Sequence, residues 1–93
     1  MSPLHTVLLI HPTDNLLVAL QDLAPDTLVT EEGLRTQQAI PAKHKLSMTS
    51  LQPGDELRMY GVTVAKALKP IAAGEAITTA NVQHQANSVS QRQ

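Results

Sequence analysis

The sequence predicts an all-β domain of many short strands joined by tight turns, with at most one or two short helical turns. Three observations carry this. First, a seven-residue turn unit recurs four times: Leu23-Ala-Pro-Asp-Thr-Leu-Val29, Ile40-Pro-Ala-Lys-His-Lys-Leu46, Leu51-Gln-Pro-Gly-Asp-Glu-Leu57 and Ile71-Ala-Ala-Gly-Glu-Ala-Ile77. An aliphatic residue anchors each end, with turn residues between; Gly54 and Gly74 stand where a turn wants positive φ, and Pro53 presets the residue before, as in a type II turn. Second, the runs between turns are short, and several alternate apolar with polar, the period of a strand. Third, there is no Phe or Trp and one Tyr, so the core must be aliphatic, each side chain contributing about 1.5–3 kcal/mol on burial. The uneven spacing of the units rules out a solenoid.

In chain order, Thr6–Ile10 is apolar after its first residue and predicts a strand covered on both faces. His11-Pro-Thr-Asp-Asn15 interrupts it, since Pro12 cannot donate to a ladder and Asp14 and Asn15 bond readily to nearby backbone. Leu16–Leu23 fits a helix or a strand, and the turn unit that follows favours the strand. Glu31–Ile40 predicts a turn at Gly33 and then one helical turn, blocked by Pro41. Leu46–Ser50 and Glu56–Tyr60 alternate, placing Leu46, Met48, Leu57 and Met59 inward. Val62–Leu68 is a further strand, and 76–82 closes the domain. The domain is thus expected at residues 1–83, with 84–93, which lacks periodicity, as a disordered tail or linker.

Composition narrows the function classes. With no Cys, a disulfide framework and a thiolate metal site are excluded. Net charge is −1 and the basic residues are scattered, which argues against nucleic acid, whose binding needs a clustered basic face. The apolar run 7–10 is too short for a signal peptide or a membrane span, so a soluble cytoplasmic protein with no membrane partner is expected. A chain of 93 residues buries only roughly 60–65% of its unfolded surface, so support from a partner, a second copy or a longer polypeptide is also expected.

Three polar clusters are candidate sites. In His11-Pro-Thr-Asp14-Asn15, imidazole, carboxylate and carboxamide can converge on a polyol, a carboxylate or a metal. Turn chemistry alone also explains Pro12, Asp14 and Asn15 without any ligand. In Lys43-His44-Lys45, flanking positive charge disfavours a protonated imidazole, so His44 suits a base while a lysine holds a carboxylate. A solvated loop tip is the other reading of that cluster. Tyr60, beside Gly61, can orient a ligand through its hydroxyl or can simply pack with the hydroxyl in solvent. His5 and His84 receive no role, and no phosphate loop, nucleophile elbow or paired-carboxylate motif is present.

Ile10–Leu23, Ile40–Leu46, Met59-Tyr-Gly61 and Ile71–Glu75, taken in order, resemble the N-terminal domain of the altronate and galactarate dehydratases, over about residues 6 to 82. The small subunit of sulfolactate sulfo-lyase is similar. The resemblance implies a SAF-type β-clip, with short strands in long bent hairpins. It also implies a part of a hydro-lyase, a carbon–oxygen lyase of sugar-acid metabolism. In such an enzyme the proton next to the carboxylate is removed and the β-leaving group departs with divalent-metal help, commonly Fe2+. A larger catalytic domain or subunit carries most of the machinery, and the small domain helps to complete the site.

Carried onto this chain, the resemblance makes His11 and His44 the catalytic candidates and His11 the candidate metal ligand. Asp14, Asn15, Lys45 and Tyr60 are the substrate-binding candidates, beside Gly61. Two departures stand out: Lys43 replaces a usual Gly, and Thr78-Thr79-Ala80-Asn81 replaces a usual His-Thr-His-Asn-like segment, with loss of both histidines.

The expectation is therefore a small subunit or N-terminal domain of a sugar-acid dehydratase-like lyase. The isolated chain is expected to be inactive and metal-free. Its partners would be a larger catalytic domain or subunit, a small sugar acid, and as a further candidate a second copy of itself. The alternatives are a stand-alone SAF-type module that binds carbohydrate or serves assembly without catalysis, and a dimerisation or cap domain.

Overall fold

The structure, a computed structural model, describes residues 2–84. It is all-β, with no helix among the described residues. The strands are β1 (Val7–Leu8), β2 (Leu16–Ala19), β3 (Lys45–Ser47), β4 (Glu56–Met59), β5 (Val62–Ala67) and β6 (Val82–His84). They form two antiparallel three-stranded sheets, ordered β1-β2-β3 and β4-β5-β6. Strands this short cannot hold a fold by their ladders alone, so turns and isolated bridges do much of the pairing.

The four turn units share one backbone form. The fourth residue of each has positive φ: Asp26 at 60°, Lys43 at 72°, Gly54 at 91° and Gly74 at 87°. In three of them the fifth residue's N–H closes the turn on the second residue's carbonyl: His44 on Pro41, Asp55 on Gln52 and Glu75 on Ala72, at 2.9–3.1 Å. That is the hydrogen bond of a type II turn, whose third residue is the left-handed one. The first residues of the units then pair two by two. Leu23 and Ile40 exchange both backbone hydrogen bonds at 2.8 and 2.9 Å, and Leu51 and Ile71 do the same.

Two aliphatic cores result. One holds Val7, Leu17, Ala19, Leu23, Val29 and Ile40 with their neighbours; the other holds Leu16, Leu51, Leu57, Met59, Ile71 and Val82 with theirs. The strand between them is β2, whose alternating side chains serve both: Leu17 and Ala19 enter the first, while Leu16 enters the second and Val18 packs on it. The first strand is correspondingly shorter and less covered than its composition predicts. It lies at a sheet edge, spans two residues, and leaves Leu8 45% exposed. The helical turn expected after Gly33 is replaced by a small hairpin. Leu28 bridges Arg35, and Val29 N–H donates to Leu34 C=O at 2.8 Å. Buried Thr36 secures it, donating to Ala24 C=O at 2.7 Å and accepting from Thr27 N–H at 2.9 Å. Leu46, Leu57 and Met59 are buried as the alternation requires, and Met48 is half-buried against the first core. Strand β6 continues through His84, paired with Ala65; residues 85–93, the rest of the expected tail, lie outside the described residues.

Candidate functional site

Asp14 is the hub of the first cluster. It is 5% exposed, and its carboxylate accepts three backbone N–H groups: His11 at 3.1 Å, Tyr60 at 3.0 Å and Gly61 at 2.8 Å. Tyr60 and Gly61 both have positive φ, 58° and 78°, and join β4 to β5 in a two-residue hairpin of type I′ form. Asp14 thus fastens the loop before β2 to a turn more than forty residues later. Its own N–H returns to His11 C=O at 2.9 Å. The same reciprocal closure, residue i with residue i+3, recurs at Gln52–Asp55, Ala72–Glu75 and Thr78–Asn81.

Asn15 acts as a piece of strand. Its Nδ2 donates to Glu56 C=O at 2.9 Å and its Oδ1 accepts Arg58 N–H at 2.7 Å, covering the free edge of β4. Asp14 and Asn15 therefore direct their polar atoms at the chain's own backbone. What they position is His11 and Tyr60. The His11 ring lies over Gly61, where an added Cβ would meet Cδ2 and Nε2 at 3.1 Å. Its Nδ1 takes the N–H of Thr13 at 3.2 Å, with Thr13 Oγ1 at 2.9 Å, so the neutral ring carries its proton on Nε2. Tyr60 is 65% exposed.

The second cluster is reached through the bridge of Leu46 to Ala76. Ser47 N–H donates to Glu75 C=O at 3.0 Å and Ile77 N–H to Lys45 C=O at 2.9 Å, which lays Ile77 against the His44-Lys45 turn. Two adjoining hollows, of about 230 and 380 Å³, share Lys45, Ile77 and His84. The first has an apolar floor that includes Leu16, Leu57 and Met59, with Tyr60 on its wall. The second is lined by His44, Thr78 and Thr79. A bulge shapes the first: Leu57 pairs with Ala65 and Arg58 with Thr63, so Val64 is the extra residue, and Val64 and Ala65 line the same hollow although adjacent in the chain. Buried Asn81 holds the Thr78 turn, accepting Thr78 N–H at 2.9 Å and donating to Ala76 C=O at 2.8 Å.

His44 is oriented oppositely to His11. Its Nδ1 faces Ala42 C=O at 3.3 Å, and a carbonyl can only accept, so this contact calls for a proton on Nδ1 and makes no use of Nε2. The groove therefore carries the His44 imidazole, a lysine ammonium and several hydroxyls, and among the described residues no carboxylate lines either hollow. The structure brings Tyr60, His44 and Lys45 to one groove. His11 stands at the Tyr60-Gly61 turn, while Asp14 and Asn15 lie beneath as supports. Sequence reasoning missed His84 and Asn81. The only signal for Asn81 was its place three residues after Thr78; His84 had none. Among the described residues no three His, Cys, Asp or Glu side chains gather closely enough to hold a metal ion, so those residues by themselves do not fit a divalent metal. No helix is long and apolar enough to cross a membrane among those residues.

Comparison with known proteins agrees with this architecture. Residues 5–85 match the family described as the altronate/galactarate dehydratase SAF domain. The altronate dehydratase of Escherichia coli (strain K12) is 37% identical over 67 residues, covering 70% of this chain and 14% of that protein. The chain thus spans about one seventh of the curated relative's length. With the family match running over nearly the whole chain and agreeing with the fold, the chain belongs to the altronate/galactarate dehydratase SAF domain family.

Proposed function

We propose that this domain completes the substrate site of a cytoplasmic sugar-acid hydro-lyase whose larger catalytic part lies beyond it, on the same or a separate chain. Family membership supports the enzyme class. The observation that carries the role is the groove, where His44, its Nδ1 turned to Ala42 C=O, lines the same hollow as Lys45. In this reading Lys45 holds the substrate carboxylate by charge-assisted hydrogen bonding, His44 accepts the proton next to that carboxylate, Tyr60 binds hydroxyls at the rim, and His11 contributes from the adjoining Tyr60-Gly61 turn. Any divalent metal takes ligands from the catalytic part, since the described residues offer no complete set. Asp14, Asn15 and Asn81 position rather than react.

The test is steady-state kinetics of the assembled enzyme on D-altronate and galactarate. His44→Ala should lower kcat about 100-fold or more, as loss of a general base does, and Lys45→Met should raise KM about tenfold or more. Wild-type kinetics in both variants, with circular dichroism unchanged, would show that the groove takes no part in turnover.

A further inference from the structure

We infer that His84 is a substrate-binding residue, forming with Lys45 a subsite for a carboxylate; this rests on reading the groove as the substrate site. His84 ends β6, whose pairing with Ala65 fixes its place on the strand. It lines both hollows, and only Lys45 and Ile77 share that position. The Lys45 backbone is fixed at the junction independently, because its carbonyl receives Ile77 N–H. An imidazole N–H and an ammonium thus flank the junction of the two hollows, with the hydroxyls of Thr78 and Thr79 beyond. No carboxylate lines either hollow among the described residues, so nothing on the walls competes for these donors. His44 does not belong to the subsite: it lines only the second hollow and lies off the junction, where it suits the neighbouring carbon's proton instead. The ligand class is a small hydroxy acid, with its charged end at the junction and its hydroxyls toward Tyr60 or Thr79.

The probe is D-gluconate, a stable aldonate, titrated into the 15N-labelled 93-residue chain, with glucitol as its uncharged counterpart. Saturable shifts are expected at the His84 ring and at the amides of Lys45, Thr78 and Thr79, with gluconate and not with glucitol. His84→Ala should weaken binding about tenfold or more, the effect of losing one hydrogen bond to a charged group, and His84→Gln, which keeps an N–H donor, should recover part of it. Equal shifts with glucitol, no saturable gluconate shift, or unchanged binding by His84→Ala and His84→Gln would overturn the subsite. Those results leave the lyase reading standing. Conversely, gluconate binding through His84 combined with full turnover by both His44→Ala and Lys45→Met would sink the lyase role and keep a binding subsite.

Discussion

Asp14 Oδ1 accepts the N–H of Gly61 at 2.8 Å, and this bond ties the loop ahead of β2 to the hairpin that carries Tyr60. The other oxygen takes His11 and Tyr60 N–H, so one buried carboxylate organises two of the candidate residues without facing the groove. Removing it leaves three N–H groups in search of partners. Asp14→Ala should cost about 2–4 kcal/mol in urea unfolding, since hydrogen bonds to a charged group are worth about 1.5–3 kcal/mol each and water replaces part of the loss. A loss under 1 kcal/mol would mean that the hairpin does not depend on Asp14.

The His11 ring itself is exposed and packs on Gly61. His11→Ala should change stability by less than about 1 kcal/mol while lowering kcat/KM of the assembled enzyme. Gly61→Ala should act through the same ring: a methyl at 3.1 Å from Nε2 displaces it, which the His11 Hε1 resonance would report. Kinetics unchanged by His11→Ala would assign this loop to structure alone.

Gly54 and Gly74 occupy the same position in their turn units and are not equivalent. Both have positive φ, but a Cβ on Gly54 meets nothing within 4 Å, whereas on Gly74 it runs into the carbonyl oxygen of Arg35. Gly54→Ala should cost about 1–2 kcal/mol, the ordinary penalty for a left-handed alanine. Gly74→Ala must also move backbone, and should cost at least about 2 kcal/mol more or prevent folding. Equal melting temperatures for the two variants would refute this difference.

Lys43 pays that left-handed penalty in the wild-type chain, at φ 72°. Lys43→Gly should therefore stabilise the domain by about 0.5–1 kcal/mol, because the relief of about 1–2 kcal/mol exceeds the extra chain entropy of glycine. For a domain of this size that is a rise of roughly 3–6 °C in melting temperature by calorimetry. A fall would place a stabilising contact on the Lys43 side chain.

Much of the fold was legible because it is written locally. The turn units announce themselves through residues 23–29, 40–46, 51–57 and 71–77, and all four carry the left-handed residue at one position, even where Asp26 or Lys43 stands in place of glycine. What the units do with one another was not legible, since the Leu23–Ile40 and Leu51–Ile71 pairings are set by register between distant segments. The bridge of Leu28 to Arg35 takes the place of the helical turn expected after Gly33, because its support, Thr36 on Ala24 and Thr27, is invisible to a local pattern. Edge placement likewise uncovered Leu8, which composition alone had buried. Of the candidate site, residue types marked the polar loops, and turn chemistry already offered Asp14 and Asn15 to the backbone, but not that their partners would be the distant 56–61 segment. His84 lies in a segment with no periodicity, and only the β5–β6 pairing brings it to the groove.

The most direct test of the central claim is reconstitution. The catalytic part of the enzyme, freed of its SAF domain, is assayed for dehydration of D-altronate and galactarate, alone and with this chain added. The account predicts negligible turnover by either component and restored turnover, saturable in this chain, when they are combined. Full activity of the catalytic part by itself, or turnover by this chain by itself, would contradict it.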